Sequence, residues 1–309
     1  MNNALTHVIR PATLLEPTRL ARALGLRIVL AAETFQHTGS FKFRAAYNVA
    51  AEVSQKLVIT ASSGNFGQAL AYACSLVAKR AIVVMPATSA RVKIDAVREY
   101  GGQVDLVEVR VKSRAARVAE LAAEHPEGYV ASAYDDPLVI EGNSTLGEEL
   151  GLIRHGATRF DCVLAPVGGG GLSSGIICGL RRVRVDVPVI GAEPLLANDA
   201  ARSLAAGHIV VNESEPQTIA DGARTLSLGR HNWEILKDGL ARIIEVPEEK
   251  IGEAVRLLFA LANLKVEPTG ALAVAAVLTE PAAFLGQTVC CVVSGGNVDP
   301  EVYRRVLAG

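Results

Sequence analysis

A run of four glycines stands between a strand-like segment, Cys162–Val167, and a helical pattern that begins at Leu172. Glycines leave their backbone N–H groups unshielded, and the first turn of a helix adds the positive end of its dipole. The pattern therefore predicts a phosphate-binding loop made of Gly168, Gly169, Gly170 and Gly171. A flexible tight turn is the structural alternative. The spacing matches neither the G-x-G-x-x-G fingerprint nor a P-loop, which disfavours a nucleotide-binding protein.

A second strand-to-helix junction, Ala61-Ser-Ser-Gly-Asn-Phe-Gly-Gln68, concentrates two hydroxyls, an amide and glycine backbone. Groups of this kind just ahead of a helix N-terminus can hold a substrate carboxylate. A helix N-cap, which needs only one Ser or Asn, is the structural alternative. The substrate contacts predicted here are Ser62, Ser63, Gly64, Asn65 and Gln68.

Lys42 lies between Phe41 and Phe43, in a segment that is expected to begin a helix. An amine among apolar neighbours loses hydration, which lowers its pKa from the free value of about 10.4 and suits Schiff-base chemistry. A lysine whose stem packs on Phe is the common structural alternative. Ser294 follows the strand-like run Thr288–Val293 and could face a ring nitrogen, or it could simply cap a turn.

These loops need a scaffold that brings them together, and the rest of the chain predicts one. Short β-branched runs alternate with Ala-rich stretches of 3.6-residue periodicity, which favours βαβ units and a mainly parallel sheet. In open α/β sheets ligands bind at the carboxyl ends of the strands. The predicted strands are Leu57–Thr60, Ala81–Met85, Val104–Val109, Cys162–Val167, Val187–Ala192 and Thr288–Val293. The predicted helices are Gln68–Lys79, Ala90–Tyr100, Ser113–Ala123, Leu172–Arg182 and Glu248–Leu264.

Composition excludes several classes of protein. The net charge of −1 comes from interspersed acids and bases, so the basic stripe of a nucleic-acid binder is missing. The five cysteines have no C-x-x-C spacing, and we interpret them as small buried hydrophobes of a cytoplasmic protein. The N-terminus lacks a signal-peptide core, and no apolar run is long enough to cross a bilayer, so we expect no membrane partner. The six histidines lack zinc-ligand spacing.

The four loops, in order, resemble the motifs of the fold-type II pyridoxal-phosphate (PLP) enzymes. The matching segments are TGSFKFRAA, SSGNFGQAL, VGGGG and SGGNVD, with TIADG and EPTGA in support. The resemblance is strongest to the serine/threonine dehydratase and serine racemase group. It implies a tryptophan synthase β-like fold with two open α/β domains and mostly parallel twisted sheets. It further implies a large cofactor domain (residues 1–48 plus 142–309), a small mobile substrate domain (residues 49–141) and a homodimer.

The resemblance also implies roles for the residues of the four loops. Lys42, next to Phe41, would hold PLP as a Schiff base and act as the Cα base. Asn65 would bond the ring 3′-oxygen, and Ser294 would face the pyridine nitrogen. The four glycines would hold the phosphate, while Ser62, Ser63 and Gly64 would grip the substrate carboxylate. Because a neutral hydroxyl does not keep the ring nitrogen protonated, Ser294 favours β-elimination over transamination.

The implied reaction is β-elimination of a serine- or threonine-type hydroxy amino acid to a 2-oxo acid and ammonia. Ser63 leaves open a serine or aspartate-type racemase with side dehydratase activity, because it matches the acid/base serine of the racemases. Phe66 departs from the His common in racemase-like members, and Asn143 departs from their usual Gln. A hydroxyaspartate or aryl-serine dehydratase and a non-catalytic ligand-binding homologue are further alternatives. Since the chain ends soon after SGGNVD, we expect no isoleucine feedback domain.

Two further sites rest on the same resemblance. The segment Glu193-Pro-Leu-Leu-Ala-Asn-Asp199 resembles a divalent-cation loop, with ligands from the Glu193 carboxylate, the Ala197 carbonyl and the Asp199 carboxylate. Oxygen-only ligands suit Mg²⁺ or Ca²⁺. In the structural alternative Asp199 caps a helix and Glu193 is a solvated surface acid. Arg114 aligns with an arginine that approaches a substrate side-chain carboxylate, although an exposed helix residue is the alternative.

Overall fold

A computed structural model of the protein describes residues 7–62, 64–89, 91–155 and 158–309. The strands are β1 (Thr13–Leu15), β2 (Arg27–Ala32), β3 (Leu57–Ala61), β4 (Arg80–Pro86), β5 (Gln103–Val107), β6 (Tyr129–Ala131), β7 (Cys162–Pro166), β8 (Val189–Pro194), β9 (Leu240–Val246) and β10 (Thr288–Val293). The helices are α1 (Thr18–Leu24), α2 (Lys42–Glu52), α3 (Asn65–Leu76), α4 (Arg91–Glu99), α5 (Arg114–Glu124), α6 (Pro137–His155), α7 (Gly171–Arg182), α8 (Asp199–Ala206), α9 (Arg230–Gly239), α10 (Glu248–Ala262), α11 (Leu272–Thr279) and α12 (Pro300–Ala308).

Two sheets organise these elements. The larger has the strand order β1-β2-β10-β7-β8-β9 and is parallel except for the edge pair β1–β2. The smaller has the order β5-β4-β3-β6 and is parallel throughout. Parallel strands need helical crossovers, which cover both faces, so their residues are apolar on both sides. The predicted α/β class with two mostly parallel sheets is confirmed.

Strand β10 shows why the cysteines are buried. All but the first of its residues are buried, and Cys290 and Cys291 face opposite sides of the larger sheet, each inside a separate apolar cluster. Cys74 and Cys162 are buried as well, whereas Cys178 is only partly buried. The prediction that the cysteines act as small buried hydrophobes is therefore too strong for Cys178. Within the described ranges no helix is both long and apolar enough to span a membrane.

Some element ends differ from the predictions for local reasons. β8 begins at Val189, two residues late, because Pro188 has no N–H to donate to a sheet. β5 ends at Val107, and the chain turns at once, which leaves Val109 half-exposed. α3 begins at Asn65, three residues early, and ends before Ala78, whose φ of 53° is left-handed. The predicted domain limits fall inside α2 and α6, and like the homodimer they stay predictions.

Helices α6 and α7 pack so closely that only glycines fit at the contact. A Cβ on Gly179 would lie 2.1 Å from the carbonyl oxygen of Ser144 and 2.5 Å from the backbone nitrogen of Glu148. A Cβ on Gly147 would lie 2.2 Å from the carbonyl oxygen of Ile176. Because these neighbours are backbone atoms, they cannot move aside without shifting a helix. The contact matters for the site, since α7 begins at the glycine loop.

Gly179→Ala is expected to lower the free energy of unfolding by about 3 kcal/mol or more, because overpacking against backbone forces a helix shift. Urea denaturation followed by circular dichroism measures this change. Gly252→Ala is the matched control within α10, where the added methyl meets only the flexible end of Arg256 at 3.3 Å. Replacing a helical Gly there is expected to stabilise the protein by roughly 0.5–1 kcal/mol. Equal effects of the two substitutions would contradict this account of the α6–α7 contact.

Candidate active site

Lys42 is held at the start of α2 by the end of strand β10. The N–H of Phe41 donates to the carbonyl oxygen of Ser294 at 3.0 Å, and Ser40 forms an antiparallel bridge with Gly295. Ser294 itself is 2% exposed. The predicted lysine and the predicted strand-end serine therefore lie side by side, although they are about 250 residues apart in sequence.

The amine of Lys42 has a mostly apolar setting. Its Nζ donates to the carbonyl oxygen of Ala133 at 2.7 Å and lies 5.0 Å from the ring centre of Phe41 and 5.8 Å from that of Phe66. Burial lowers the pKa of Lys42 to about 8, against a raising effect from the charge of Glu267. The predicted direction of the shift agrees, but Phe66 takes the place expected of Phe43.

A buried ion network anchors the helix that carries Lys42. The guanidinium of Arg44, two residues further along α2, is fully buried. It pairs with Glu33, the residue that follows β2, and with Glu149 of α6. Four hydrogen bonds of 2.8–2.9 Å join Arg44 to these two carboxylates. A charge buried this deeply needs such partners. The network therefore ties α2 to both the larger sheet and α6.

The glycine loop leads from β7 into α7, as predicted. The carbonyl oxygen of Gly169 accepts from Asn232 Nδ2 at 2.8 Å and from the N–H of Gly229 at 3.1 Å. Because the carbonyl and N–H of one peptide point in opposite directions, this bond turns the N–H of Gly170 away from Asn232. Among the described residues, no protein acceptor takes the N–H groups of Gly168, Gly169 or Gly170. Three donors at the N-terminus of a 12-residue helix are suited to a phosphate.

The segment after β6 contacts both Lys42 and the glycine loop. Ala133 accepts from Lys42, and the next residue, Tyr134, packs its ring on Gly169, where a Cβ would lie 2.2 Å from ring atom Cδ2. Asp135 accepts from the first backbone N–H groups of α9. Tyr134 lies just past the carboxyl end of β6, where ligands of open α/β sheets bind, and this position was the signal available in the sequence.

The Ser-Gly-Asn junction serves partly as a helix cap. Ser62 Oγ accepts from the N–H of Gly67 at 3.0 Å and from that of Gly64 at 3.3 Å, which is the structural alternative considered for this loop. Its hydroxyl hydrogen stays available as a donor. Ser63 lies outside the described residues. The substrate contacts assigned to Ser62, Ser63 and Gly64 stay predictions.

Asn65 joins this junction to two residues that sequence reasoning did not place in the site. Its Nδ2 donates to Glu267 Oε1 at 2.7 Å, and its Oδ1 accepts from Asn297 Nδ2 at 2.9 Å. Gln68 Nε2 also donates to Asn65 Oδ1, at 3.4 Å, and to the carbonyl oxygen of Thr38. Gln68 thus supports Asn65, and its substrate contact stays a prediction.

A cavity of about 530 Å³ opens beside Glu267 and Asn297. One wall comes from α4 on the smaller sheet, whose Lys93 Nζ pairs with Asp221 Oδ2 at 2.5 Å. Asp221 belongs to the TIADG segment, and the adjoining Gly222 and Ala223 contact Gly168. The ion pair therefore links the small-sheet part of the molecule to the turn that supports the glycine loop.

The predicted cation loop is buried, which rules out a solvated surface role for Glu193. Both carboxylate oxygens of Glu193 accept backbone N–H groups, from Ala200 and Ala201 of α8. Asp199 Oδ1 accepts from Asn212 Nδ2 at 2.9 Å, whereas Asp199 Oδ2 is buried with no partner among the described residues. Burial raises the pKa of Asp199 to about 6 and that of Glu193 well above its usual range.

The fit to a cation is partial. Ala197 is 1% exposed in the turn between Glu193 and Asp199, so the three predicted ligands share one buried segment. The free Asp199 Oδ2 is the group that would gain most from a hard cation. Glu193 already caps α8, although each oxygen keeps a lone pair. No group of three or more His, Cys, Asp or Glu side chains suited to a metal occurs in the described ranges.

Arg114 begins α5 and is half-buried, and its charge lowers the pKa of Tyr134. Burial is the larger effect and raises that pKa, with help from the charges of Asp135 and Asp199. Because the charge of Arg114 affects Tyr134, and Tyr134 packs on the glycine loop, Arg114 lies near the site. Its contact with a substrate carboxylate stays a prediction.

A buried lysine of lowered pKa, a glycine loop with free N–H groups and an oriented amide are the groups that a PLP-dependent enzyme needs. The family model of the pyridoxal-phosphate dependent enzymes matches residues 5–295, and the chain belongs to that family. It is 36% identical to an L-threo-3-hydroxyaspartate ammonia-lyase from Pseudomonas sp over 289 residues, 92% of this chain and 89% of that one. It is also 36% identical to serine racemase from Homo sapiens, over 91% of this chain and 84% of that one. The crystal structure of a threonine deaminase from T.th. superposes with a TM-score of 0.90 at 41% identity, covering 96% of each chain.

Proposed function

We propose that this chain is an ammonia-lyase that eliminates the β-hydroxyl of a small hydroxy amino acid to give a 2-oxo acid and ammonia. The observation that carries the proposal is the buried Lys42 amine, whose pKa burial lowers to about 8. Its acceptor, Ala133, precedes Tyr134, which packs on Gly169 of the glycine loop. Similarity to a hydroxyaspartate ammonia-lyase and to a threonine deaminase supports the elimination chemistry.

The hydrogen-bond donors and the amine of this site have the chemistry that PLP needs. The free N–H groups of Gly168, Gly169 and Gly170 would hold the phosphate, and Lys42 would carry the aldehyde carbon. The second N–H of Asn65 would reach the ring 3′-oxygen. When bound, PLP withdraws electrons from the Cα of an attached amino acid.

Lys42 would then move the protons of the reaction. Once the substrate amine has replaced Lys42 at the aldehyde carbon, the freed neutral amine of Lys42 would take the Cα proton. The resulting ammonium would return a proton to the departing hydroxyl, so that water leaves, and hydrolysis of the released enamine would give the 2-oxo acid and ammonia. Ser62 and Gly64 would position the substrate carboxylate, which keeps the Cα–H bond near the amine. Ser294 presents a neutral hydroxyl at the end of β10 and leaves the ring nitrogen without an anionic partner.

We also propose that Mg²⁺ or Ca²⁺ binds at Glu193, Ala197 and Asp199, supported by the unpaired Asp199 Oδ2. The cation would neutralise two buried carboxyls whose pKa values burial raises, so it would stabilise the protein. Ala197 contributes a backbone carbonyl, so an Asp199→Asn variant is the substitution that weakens this site.

A racemase is the second candidate, because the chain is 36% identical to serine racemase. Against it stands Phe66, which is 1% exposed and places an apolar ring near Lys42. Loss of the β-hydroxyl and inversion at Cα give different products from the same substrate, so one assay separates them.

The test supplies L-threonine, L-serine and 3-hydroxyaspartate separately, with PLP and Mg²⁺, and measures 2-oxo acid and enantiomer ratio together. Oxo-acid release from one of them, at a rate well above that of the others, is the expected result. Inversion without oxo acid would replace the lyase with a racemase. Neither product from any of the three, with PLP bound, would refute both.

A further inference from the structure

We infer that Glu267 is a positioning residue for the cofactor, because its carboxyl holds the Asn65 amide with one N–H free to face the ring 3′-oxygen. This inference rests on PLP binding and on the proposed contact of Asn65, and it does not depend on the amino acid that reacts.

The orientation of the Asn65 amide is determined by its partners. Two N–H donors, Asn297 Nδ2 at 2.9 Å and Gln68 Nε2 at 3.4 Å, meet at its Oδ1. Exchanging Oδ1 and Nδ2 would set N–H groups against N–H groups. Asn297 is itself fixed, since its Nδ2 also donates to the carbonyl oxygen of Thr38 at 2.6 Å. Nδ2 of Asn65 must therefore face Glu267.

One Nδ2 hydrogen of Asn65 goes to Glu267 and the other has no protein acceptor in the described part of the chain. A primary amide carries two such hydrogens. Without Glu267 the amide would be held only at Oδ1, so its Nδ2 side could swing about that oxygen. The carboxyl thus decides where the remaining donor points.

Glu267 is locked in place beside Lys42. It is 4% exposed, and its backbone N–H donates to the carbonyl oxygen of Gly295 at 3.2 Å. A Cβ on Gly295 would lie 2.5 Å from Glu267 Oε1, so only glycine admits the carboxyl there. Gly295 in turn pairs with Ser40, two residues before Lys42. Gly295, the second residue of the SGGN motif, therefore allows the Glu267 carboxyl to come this close to the chain.

The charge state of Glu267 bears on Lys42 as well. Burial raises the pKa of Glu267 to about 8, and the charge of Asp221 adds to this. The charges of Lys93 and Lys42 and the hydrogen bond from Asn65 act in the opposite direction. Burial therefore favours the neutral form of the carboxyl, and in that form it would not stabilise the protonated lysine.

Ionisation of Glu267 above about pH 8 would place a negative charge beside the amine and the 3′-oxygen. That charge stabilises protonated Lys42 and repels an anionic ring oxygen, and both effects weaken cofactor binding. A carboxyl that only filled space in the core would show no such dependence on pH. The pH profile therefore separates the inferred role from simple packing.

The experiment measures the dissociation constant of PLP from apo-protein by absorbance, between about pH 6.5 and 9.5, in three variants. Glu267→Met removes the acceptor and is expected to weaken PLP binding about tenfold at pH 7. Glu267→Gln keeps an acceptor, so it is expected to match the wild type within about twofold at pH 7. The wild type should weaken as the pH rises above about 8, whereas Glu267→Gln should not. Glu301→Gln, an exposed acid on α12, is the control and should follow the wild type.

Wild-type affinity in Glu267→Met, or a wild-type pH profile in Glu267→Gln, would overturn the inference. If circular dichroism shows that Glu267→Met does not fold, the pH dependence of PLP binding by Glu267→Gln still tests the inference. A wild type that binds PLP but releases no oxo acid would refute the proposed reaction and leave this comparison intact.

Discussion

Lys42→Ala is expected to lower the rate of oxo-acid release by at least about 10³-fold, because it removes the residue proposed both to anchor the cofactor covalently and to act as the Cα base. The variant should also lose the covalent bond to PLP, so that borohydride no longer attaches the cofactor to the peptide containing residue 42. Turnover by a coupled dehydrogenase assay and mass spectrometry of the reduced protein measure the two losses.

A small amine such as methylamine should restore part of the Lys42→Ala activity, since it can fill the space of the missing side chain. Lys250→Ala, on the outer face of α10 and paired with Glu253, is the matched control and should keep wild-type turnover. Full activity in Lys42→Ala would place the reacting amine elsewhere.

Gly169→Ala is expected to weaken PLP binding about 10- to 100-fold, because a single methyl has no room in the glycine loop proposed to hold the phosphate. Three atoms of the Tyr134 ring lie 2.2–2.5 Å from the position of the new Cβ. Either the ring or the loop must shift, and a shifted loop no longer aims its N–H groups at one point. Titration of apo-protein with PLP, followed by fluorescence, gives the affinity.

The double variant Gly169→Ala/Tyr134→Ala tests the cause of that loss. If the ring is the obstacle, the second substitution should recover most of the lost affinity, and the two effects should be non-additive. Gly170→Ala offers no such rescue, since its φ of 95° is unfavourable for alanine and its Cβ would meet Leu236 at 2.7 Å. Additive effects of Gly169 and Tyr134 would show that the ring does not limit the loop.

Several features of the site could be predicted because their causes are local. The glycine loop needs only a strand, unshielded N–H groups and a following helix, all within about ten residues. The position of Ser294 follows from the end of an apolar strand, since ligands collect at carboxyl ends. The surroundings of Glu193 were harder to predict. Its spacing to Asp199 is visible in the sequence, but its burial beneath α8 is not.

The surroundings of Lys42 show where local reasoning stops. Phe43 is buried in an apolar cluster and stacks on Tyr47, whereas the ring of Phe41 lies 5.0 Å from the amine. The ring that replaces Phe43, that of Phe66, comes from α3. A lowered pKa was foreseeable from apolar neighbours, but their identity depends on how two helices pack.

By itself the sequence determined the α/β class, because strand and helix patterns alternate along the chain. It also singled out Lys42, the glycine loop and Ser294 as candidates, because each belongs to a short motif. Only the tertiary structure decided that Tyr134 packs on Gly169 and that Glu267 and Asn297 hold Asn65. The hydrogen bonds of Asn65 to Glu267 and Asn297 join residues 202 and 232 positions apart. Such contacts leave no periodicity or spacing in the chain, since they arise from the packing of separate strands and helices into one cleft.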